Sequence, residues 1–309
     1  MNLADSITGA WRASVPNALL ADHAQGSAHQ RLLLRLTLAR RFLSTYYQCQ
    51  RQPDQFRSVR TLCAFLGHGR SGSTVVSALL DAHRHVILAD RVSLLGYLSA
   101  GFRREQLFRI LVQNSGFVAS RGRQKGGRDG RTYSYAVPGQ WQGRYEVLQV
   151  IGSRNAGPFT RRIGKDPQLL ELLRRSMTGL SIKFIQVVRN PFDVISTMFI
   201  RSGREIPDGI RAYFTRCEAV ARVEERTGST AIFRIRHEDL LNQPRSSLFA
   251  MCGFLGLDTP ADYLDACSSI LYKSPVATRS KVAWTPDLIH LVHSRIQEFP
   301  FLKGYSFDA

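Results

Sequence analysis

The sequence predicts an α/β protein in which a central, mainly parallel sheet is flanked by helices. Three observations carry this expectation. The apolar run Thr61-Leu62-Cys63-Ala64-Phe65 passes through a glycine-rich stretch, residues 66–74, into Val75-Val76-Ser77-Ala78-Leu79-Leu80, an order that reads strand, turn, helix. A second apolar run, Val86-Ile87-Leu88-Ala89, completes a strand-helix-strand unit, which favours parallel strands. Two further strand-like runs, residues 182–188 and 231–235, alternate with helical stretches in the same way. In sheets of this kind ligands gather beyond the carboxyl ends of the strands, so the residues that follow each strand are the candidates for chemistry.

Taken in order, residues 1–58 are expected to form an N-terminal helical segment that packs on the main domain, residues 59–309. The segment reads as a short helix over 10–20 and a basic helix over 29–47 with apolar residues on more than one face. Residues 94–111 carry helical periodicity, and 121–131 form a glycine- and arginine-rich insertion, the best candidate for a polyanion-facing surface segment. Strand-like pieces at 132–137 and 145–151 flank a turn-rich stretch, and Gly152-Ser153-Arg154-Asn155-Ala156-Gly157 reads as another strand-end loop. Helices are expected at 167–177, from Pro191 through Met198, and at 207–226, 245–255, 260–271 and 286–297, with a basic loop at 273–281.

Composition narrows the partners. The 309 residues carry a formal net charge of +18, and 36 of the 42 cationic side chains are arginine, a balance suited to a polyanionic partner. Five cysteines form no CxxC pair and no ligand spacing with the eight histidines, so no metal site is expected. No basic-plus-apolar leader and no run of eighteen apolar residues is seen, so the expectation is a cytoplasmic protein without stable membrane insertion, a monomer or homodimer.

Gly67, four residues, Gly72 and then Ser73-Thr74 has the spacing of a phosphate-binding loop. The lysine that would reach a terminal phosphate is replaced by Ser73, and a cation stands earlier as Arg70, so the loop reads as an anion cradle without triphosphate chemistry. The strand at 182–188 delivers Arg189-Asn190-Pro191 to the same sheet edge.

With both junctions in view, the chain resembles sulfotransferases that use 3′-phosphoadenosine 5′-phosphosulfate (PAPS). Gly69-Arg70-Ser71-Gly72-Ser73-Thr74 resembles the 5′-phosphosulfate loop. Val188-Arg189-Asn190-Pro191-Phe192-Asp193-Val194-Ile195-Ser196-Thr197 resembles the 3′-phosphate motif, which implies a phosphate held by Arg189 and Thr197, with Ser196 beside them. His237-Glu238-Asp239-Leu240 is similar to a family segment that begins with tyrosine, which gives His237 a cofactor role, and Arg279-Ser280-Lys281-Val282-Ala283-Trp284 resembles the basic loop that closes over the cofactor. The resemblance spans residues 60–305 and implies a P-loop-NTPase-like three-layer fold, PAPS as donor without a metal, and a small-molecule acceptor, not nucleic acid, that is sulfated on a hydroxyl or amine.

The pattern departs from the family at the base. Where relatives place Glu or His and a following Lys, this chain has Ala89-Asp90-Arg91-Val92 and Gly152-Ser153-Arg154-Asn155. Asp90 is the nearest carboxylate, Arg154 takes the cationic role, and His68 either reaches the sulfuryl group or caps the turn, so the candidate catalytic residues are Arg70, Asp90, Arg154 and His68. Three readings stay open: Asp90 is the base, the acceptor needs little base help, or the chain is a degenerate member. His83 and His85 read as surface histidines. An acceptor pocket is expected from residues 94–102, 121–145 and the C-terminal helices, with Tyr97, Tyr133, Tyr135, Trp141 and Tyr145 as candidates for stacking. The competing classes are a nucleotide or small-molecule kinase, which lacks its loop lysine, and a basic nucleic-acid-binding protein, which lacks interleaved aromatics and a recognition motif.

Overall fold

The computed structural model describes residues 28–126, 132–203, 205–272 and 274–308. Its strands are β1 (Thr61–Leu66), β2 (Val86–Asp90), β3 (Gln124–Gly126), β4 (Thr132–Ser134), β5 (Val150–Arg154), β6 (Ser181–Val188) and β7 (Ile232–Arg236). Five of them form one parallel sheet in the order β2-β5-β1-β6-β7, while β3 and β4 pair antiparallel outside it. The helices are α1 (Ala28–Arg51), α2 (Ser73–Asp81), α3 (Leu94–Ser99), α4 (Arg104–Ser120), α5 (Ala156–Lys165), α6 (Gln168–Ser176), α7 (Pro191–Ser202), α8 (Ile206–Thr227), α9 (His237–Asn242), α10 (Pro244–Leu255), α11 (Ala261–Ser269) and α12 (Pro286–Gln297).

The strand period of two divides the core. Every residue of the central β1 is buried, as expected for a parallel strand covered on both faces. Leu62, Ala64 and Leu66 enter a cluster with Phe108 of α4 and Leu170 of α6. Cys63 and Phe65 enter another with Leu79 of α2, Met251 of α10 and Cys267 of α11. These are the two interfaces of a three-layer α/β fold. A third cluster joins Phe192 of α7, Phe214 of α8 and Ile296 of α12 beyond the β6 edge.

Several local expectations are corrected. The strand expected at 145–151 lies at Val150–Arg154, because Gly152 belongs inside it: a Cβ there would stand 1.8 Å from the Cys63 carbonyl oxygen of β1, so glycine permits close strand approach rather than a turn. The expected strand-end loop over 152–157 is therefore the end of β5 and the start of α5. The periodicity over 94–111 resolves into α3 and α4, separated at Gly101 with φ +83°. His83 and His85 are buried, not on the surface. His83 Nε2 lies 2.9 Å from the Asp258 carbonyl oxygen and His85 Nδ1 2.9 Å from that of Val147, and burial lowers the His83 pKa.

The helix expected at 10–20 lies outside the described residues. Helix α1 packs on α4, where Gln106 Nε2 donates to the Phe42 carbonyl oxygen at 3.0 Å and the Phe42 and Phe102 rings meet edge to face at 5.2 Å.

The insertion is anchored by a buried charge. Arg123 is 5 % exposed and forms an ion pair with Asp81, the fully buried last residue of α2. Asp81 also accepts from Ser115 Oγ at 2.8 Å, the Leu88 amide at 2.5 Å and the Gly143 amide at 3.0 Å. Burial raises its carboxyl pKa, and Arg123 opposes that rise. Thus Arg123, expected to face a polyanion, instead ties the insertion to the core; residues 127–131 lie outside the described residues.

Candidate active site

The loop between β1 and α2 curls through three left-handed positions, Gly67 (φ +96°), Arg70 (φ +75°) and Gly72 (φ +99°). Gly67 N–H donates to Thr160 Oγ1 of α5 at 2.9 Å, and Ser71 Oγ donates to the His68 carbonyl oxygen at 2.9 Å. No side chain caps α2 at Gly72; the Val75 amide donates to the Gly72 carbonyl oxygen at 3.1 Å, which leaves the Ser73 and Thr74 amides to an anion. Arg70 rises from the loop with its pKa lowered, first by partial burial and then by the charges of Arg201, Arg91 and Arg154.

The second junction joins β6 to α7. Asn190 caps the helix by accepting from the Phe192 amide at 3.0 Å, and Pro191 opens its first turn. Arg189 donates through Nη2 to the Val276 carbonyl oxygen and through Nη1 to that of Arg70 at 3.4 Å. Its Nε is buried without a hydrogen-bond partner. Asp193, one turn on, accepts from the Arg279 amide at 2.9 Å and from its Nη1 at 3.0 Å, which fastens the 3₁₀ turn Thr278–Lys281 to α7.

Both junctions open into one cleft of about 570 Å³. Arg70, Gly72 and Thr74 line it from the first, Arg189, Thr197 and Arg201 from the second. His237 at the start of α9 lies between them: its Nδ1 is buried without a partner, and a Cβ on Gly72 would come within 2.4 Å of that atom. Burial, then the charge of Arg189, lowers the His237 pKa to about 4 against the pull of Glu238, so the ring is neutral near pH 7.

The sulfotransferase family model matches residues 64–261, nearly two thirds of the chain, and so takes in the loop, the β6–α7 junction and α9. The chain belongs to the sulfotransferase family. No curated protein sequence matches it. Among solved structures this sulfotransferase is similar to STF9 from Mycobacterium avium, at 14 % identity over 96 % of each chain with a TM-score of 0.49. The sulfotransferase domain of the Synechococcus PCC 7002 olefin synthase is 18 % identical, over 77 % of this chain and 94 % of that one, with a TM-score of 0.45. Mouse SULT7A1 complexed with PAP is 12 % identical, over 80 % and 87 %, with a TM-score of 0.44.

The cleft of this sulfotransferase collects Arg70, Gly72, Thr74, Arg189, Thr197 and His237 from the residues expected to bind a cofactor. Gly69, Ser71 and Ser73 belong to the same loop, the two serines being buried within it. Others lie elsewhere. His68 neither reaches into the cleft nor caps with its ring: the ring stacks on Tyr213 at 3.9 Å, and Nε2 lies 2.8 Å from the Tyr213 carbonyl oxygen. Burial drives its pKa down to about 3, so it is a neutral support beneath the loop. Ser196 is fully buried and accepts from Trp284 Nε1 at 3.0 Å. Arg279 is occupied by Asp193, Ser280 Oγ donates to the Ala277 carbonyl oxygen at 2.9 Å, and Lys281 is exposed away from the cleft lining. The expected basic lid thus acts here as a brace on α7.

Asp90 and Arg154 are register partners at the ends of β2 and β5 and form a largely buried ion pair. Tyr97 is a core residue, as are Leu94, Leu95, Leu98 and Phe102, so residues 94–102 do not supply the expected aromatic pocket wall. The Arg144 guanidinium covers the Trp141 ring, and Tyr145 OH accepts from Gln55 Nε2 at 3.0 Å. The side chain of Tyr133 lies outside the described ones. Tyr135 does line the cleft.

Arg201 is the cleft residue missed from sequence; Arg91, expected at the sheet edge, stands after β2, and Ile270 to Val276 apart from Lys273, from the end of an expected helix and the start of the basic loop, line the cleft. Arg201 was within reach of sequence reasoning, since it falls one helical turn after Thr197 on the same face of α7. Among the described residues, no three His, Cys, Asp or Glu side chains converge on a metal position.

Proposed function

We propose that this sulfotransferase transfers a sulfuryl group from PAPS to a hydroxyl or amine of a small molecule. The observation that carries this reading is one cleft holding two strand-end arginines, Arg70 and Arg189, together with two buried nitrogens that have no protein partner, His237 Nδ1 and Arg189 Nε. Buried polar atoms are rarely left alone, and a ligand with separated anionic groups fits such a site.

The donor supplies a sulfuryl group whose S–O bond to phosphate breaks with the electron pair leaving on phosphate, while the acceptor oxygen or nitrogen bonds sulfur and loses its proton. Arg70 and the first turn of α2 stabilise the negative charge that grows on the leaving phosphate. Arg189 and Thr197 hold the 3′-phosphate, and neutral His237 offers its free nitrogen to the nucleotide. Ser73, in place of a lysine, favours this reading over a kinase. Asp90 serves as the positioning partner of Arg154, because a carboxylate already shared with a guanidinium is a weakened base. Five unpaired cysteines fit work in the reducing cytoplasm.

The test is a thermal-shift titration with adenosine 3′,5′-bisphosphate and, separately, ATP with magnesium. Stabilisation by the bisphosphate alone, followed by sulfate transfer from PAPS in a screen of hydroxyl and amine acceptors, is the expected result. A protein stabilised by ATP and indifferent to the bisphosphate overturns it.

A further inference from the structure

Four arginines meet at the reacting edge of the sheet. Arg201, at the end of α7, lines the cleft with Arg70, while Arg91 follows β2 and Arg154 ends β5, the two strands that stand beside β1 and its loop in the sheet order β2-β5-β1. Arg154 is compensated by Asp90. Arg70 has its work on the donor. Arg91 and Arg201 are exposed, and neither guanidinium has a hydrogen-bond or ion-pair partner among the described residues. No carboxylate lines the cleft among those residues.

The backbone reinforces the point. Arg91 is left-handed at φ +59°, a conformation that a non-glycine residue rarely adopts. It is pinned there by its own amide, which donates to the Arg154 carbonyl oxygen at 3.0 Å across the β2–β5 register. A cation is thus held at the strand end in a sparsely populated conformation, at the place where a base would ordinarily be sought. Cations gathered without counter-charge repel one another, and a bound oxyanion would relieve that repulsion while gaining charge-assisted hydrogen bonds.

We propose that the acceptor is itself an anion, a small molecule whose carboxylate, phosphate or sulfate group is received by Arg91 and Arg201 while its nucleophile faces Arg70. This inference rests on the sulfotransferase reading above and names the substrate class for the same site. The basic edge selects acceptors by charge. The proton that the nucleophile releases leaves to solvent water, because an oxyanion held by two guanidinium groups is, like Asp90, a weakened base.

The experiment has two arms. In the first, the protein is saturated with adenosine 3′,5′-bisphosphate and then titrated with inorganic sulfate at constant ionic strength. A further rise in melting temperature in the wild type, lost in Arg91→Ala and in Arg201→Ala but kept in Arg91→Lys, supports the proposal. In the second, hydroxylated carboxylic acids and their methyl esters compete as acceptors with PAPS. The acid is expected to be preferred at least about tenfold in kcat/KM, through KM more than kcat, with the preference collapsing in both alanine variants. Equal use of acid and ester, or a sulfate response unchanged by both alanine substitutions, overturns the proposal and leaves the donor reading intact. Failure of the bisphosphate to stabilise the protein overturns the donor reading, and this inference with it.

Discussion

The junction after β1 and the junction after β6 each present an arginine to the same cleft, but they are held in different ways. The first is a matter of backbone: two glycines and Arg70 in left-handed conformations, an uncapped helix start, and His68 packed beneath on Tyr213. The second is a web of side chains, in which Arg189 reaches the Val276 carbonyl oxygen and Asp193 grips Arg279. A site built from backbone is preformed and intolerant of any added atom. A site built from side chains is tied to a distant segment and yields by degrees.

The largest expected effect tests the intolerance of the first junction. Gly72→Ala places a Cβ against His237 and forces alanine into φ +99°, so binding of adenosine 3′,5′-bisphosphate should weaken by at least ~100-fold, about 2.7 kcal/mol, by calorimetric titration. Next is Arg70→Ala. Loss of a charge-stabilising donor should lower kcat by ~100-fold or more, on the order of 3 kcal/mol, with a smaller change in bisphosphate affinity. Wild-type turnover would remove Arg70 from the chemistry.

At the second junction Asp193→Asn should act through the brace. It weakens the hold on Arg279 and should cost ~10-fold in bisphosphate affinity, about 1.4 kcal/mol, while proteolysis within residues 272–282 accelerates in the free protein. A variant with normal affinity and normal protease resistance would show that the two junctions do not differ as described.

A last effect, on stability rather than on binding, is a pH dependence. His68 and His237 have folded-state pKa values of about 3 and about 4, below the ordinary histidine value. Between those values and about 6.5 the unfolded chain binds more protons than the folded one, so stability rises with pH across that window and is lost as pH falls through it. The melting temperature should therefore drop from pH 6.5 towards pH 4. His237→Gln should flatten part of that drop; an unchanged slope would remove His237 as a contributor.

The fold was legible because the apolar runs were long and the junctions carried strong local chemistry: β1, β2, β6 and β7 all fall within a residue or two of the runs that announce them. Gly152 misled, since a glycine read alone signals a turn and only the neighbouring strand reveals that its missing side chain makes room for Cys63. At the site, residues that act through sequence-local geometry, Arg70 with its loop and Arg189 with Thr197, could be read directly. Residues whose surroundings come from distant segments could not. His68 depends on Tyr213 in α8, Ser196 on Trp284, and the inward turn of Arg123 on a buried carboxylate at Asp81. Arg91 and Arg201 become notable only when four separate elements are brought to one edge.

The Asp81 cluster makes its members interdependent under mutation. One carboxylate with no solvent exposure serves α2, β2, α4 and the insertion together, so loss of Arg123 alone would strand a buried charge at a cost of about 3–5 kcal/mol. Replacing Asp81, Ser115 and Arg123 together by apolar residues would avoid that cost, which removal of Arg123 alone would incur in full.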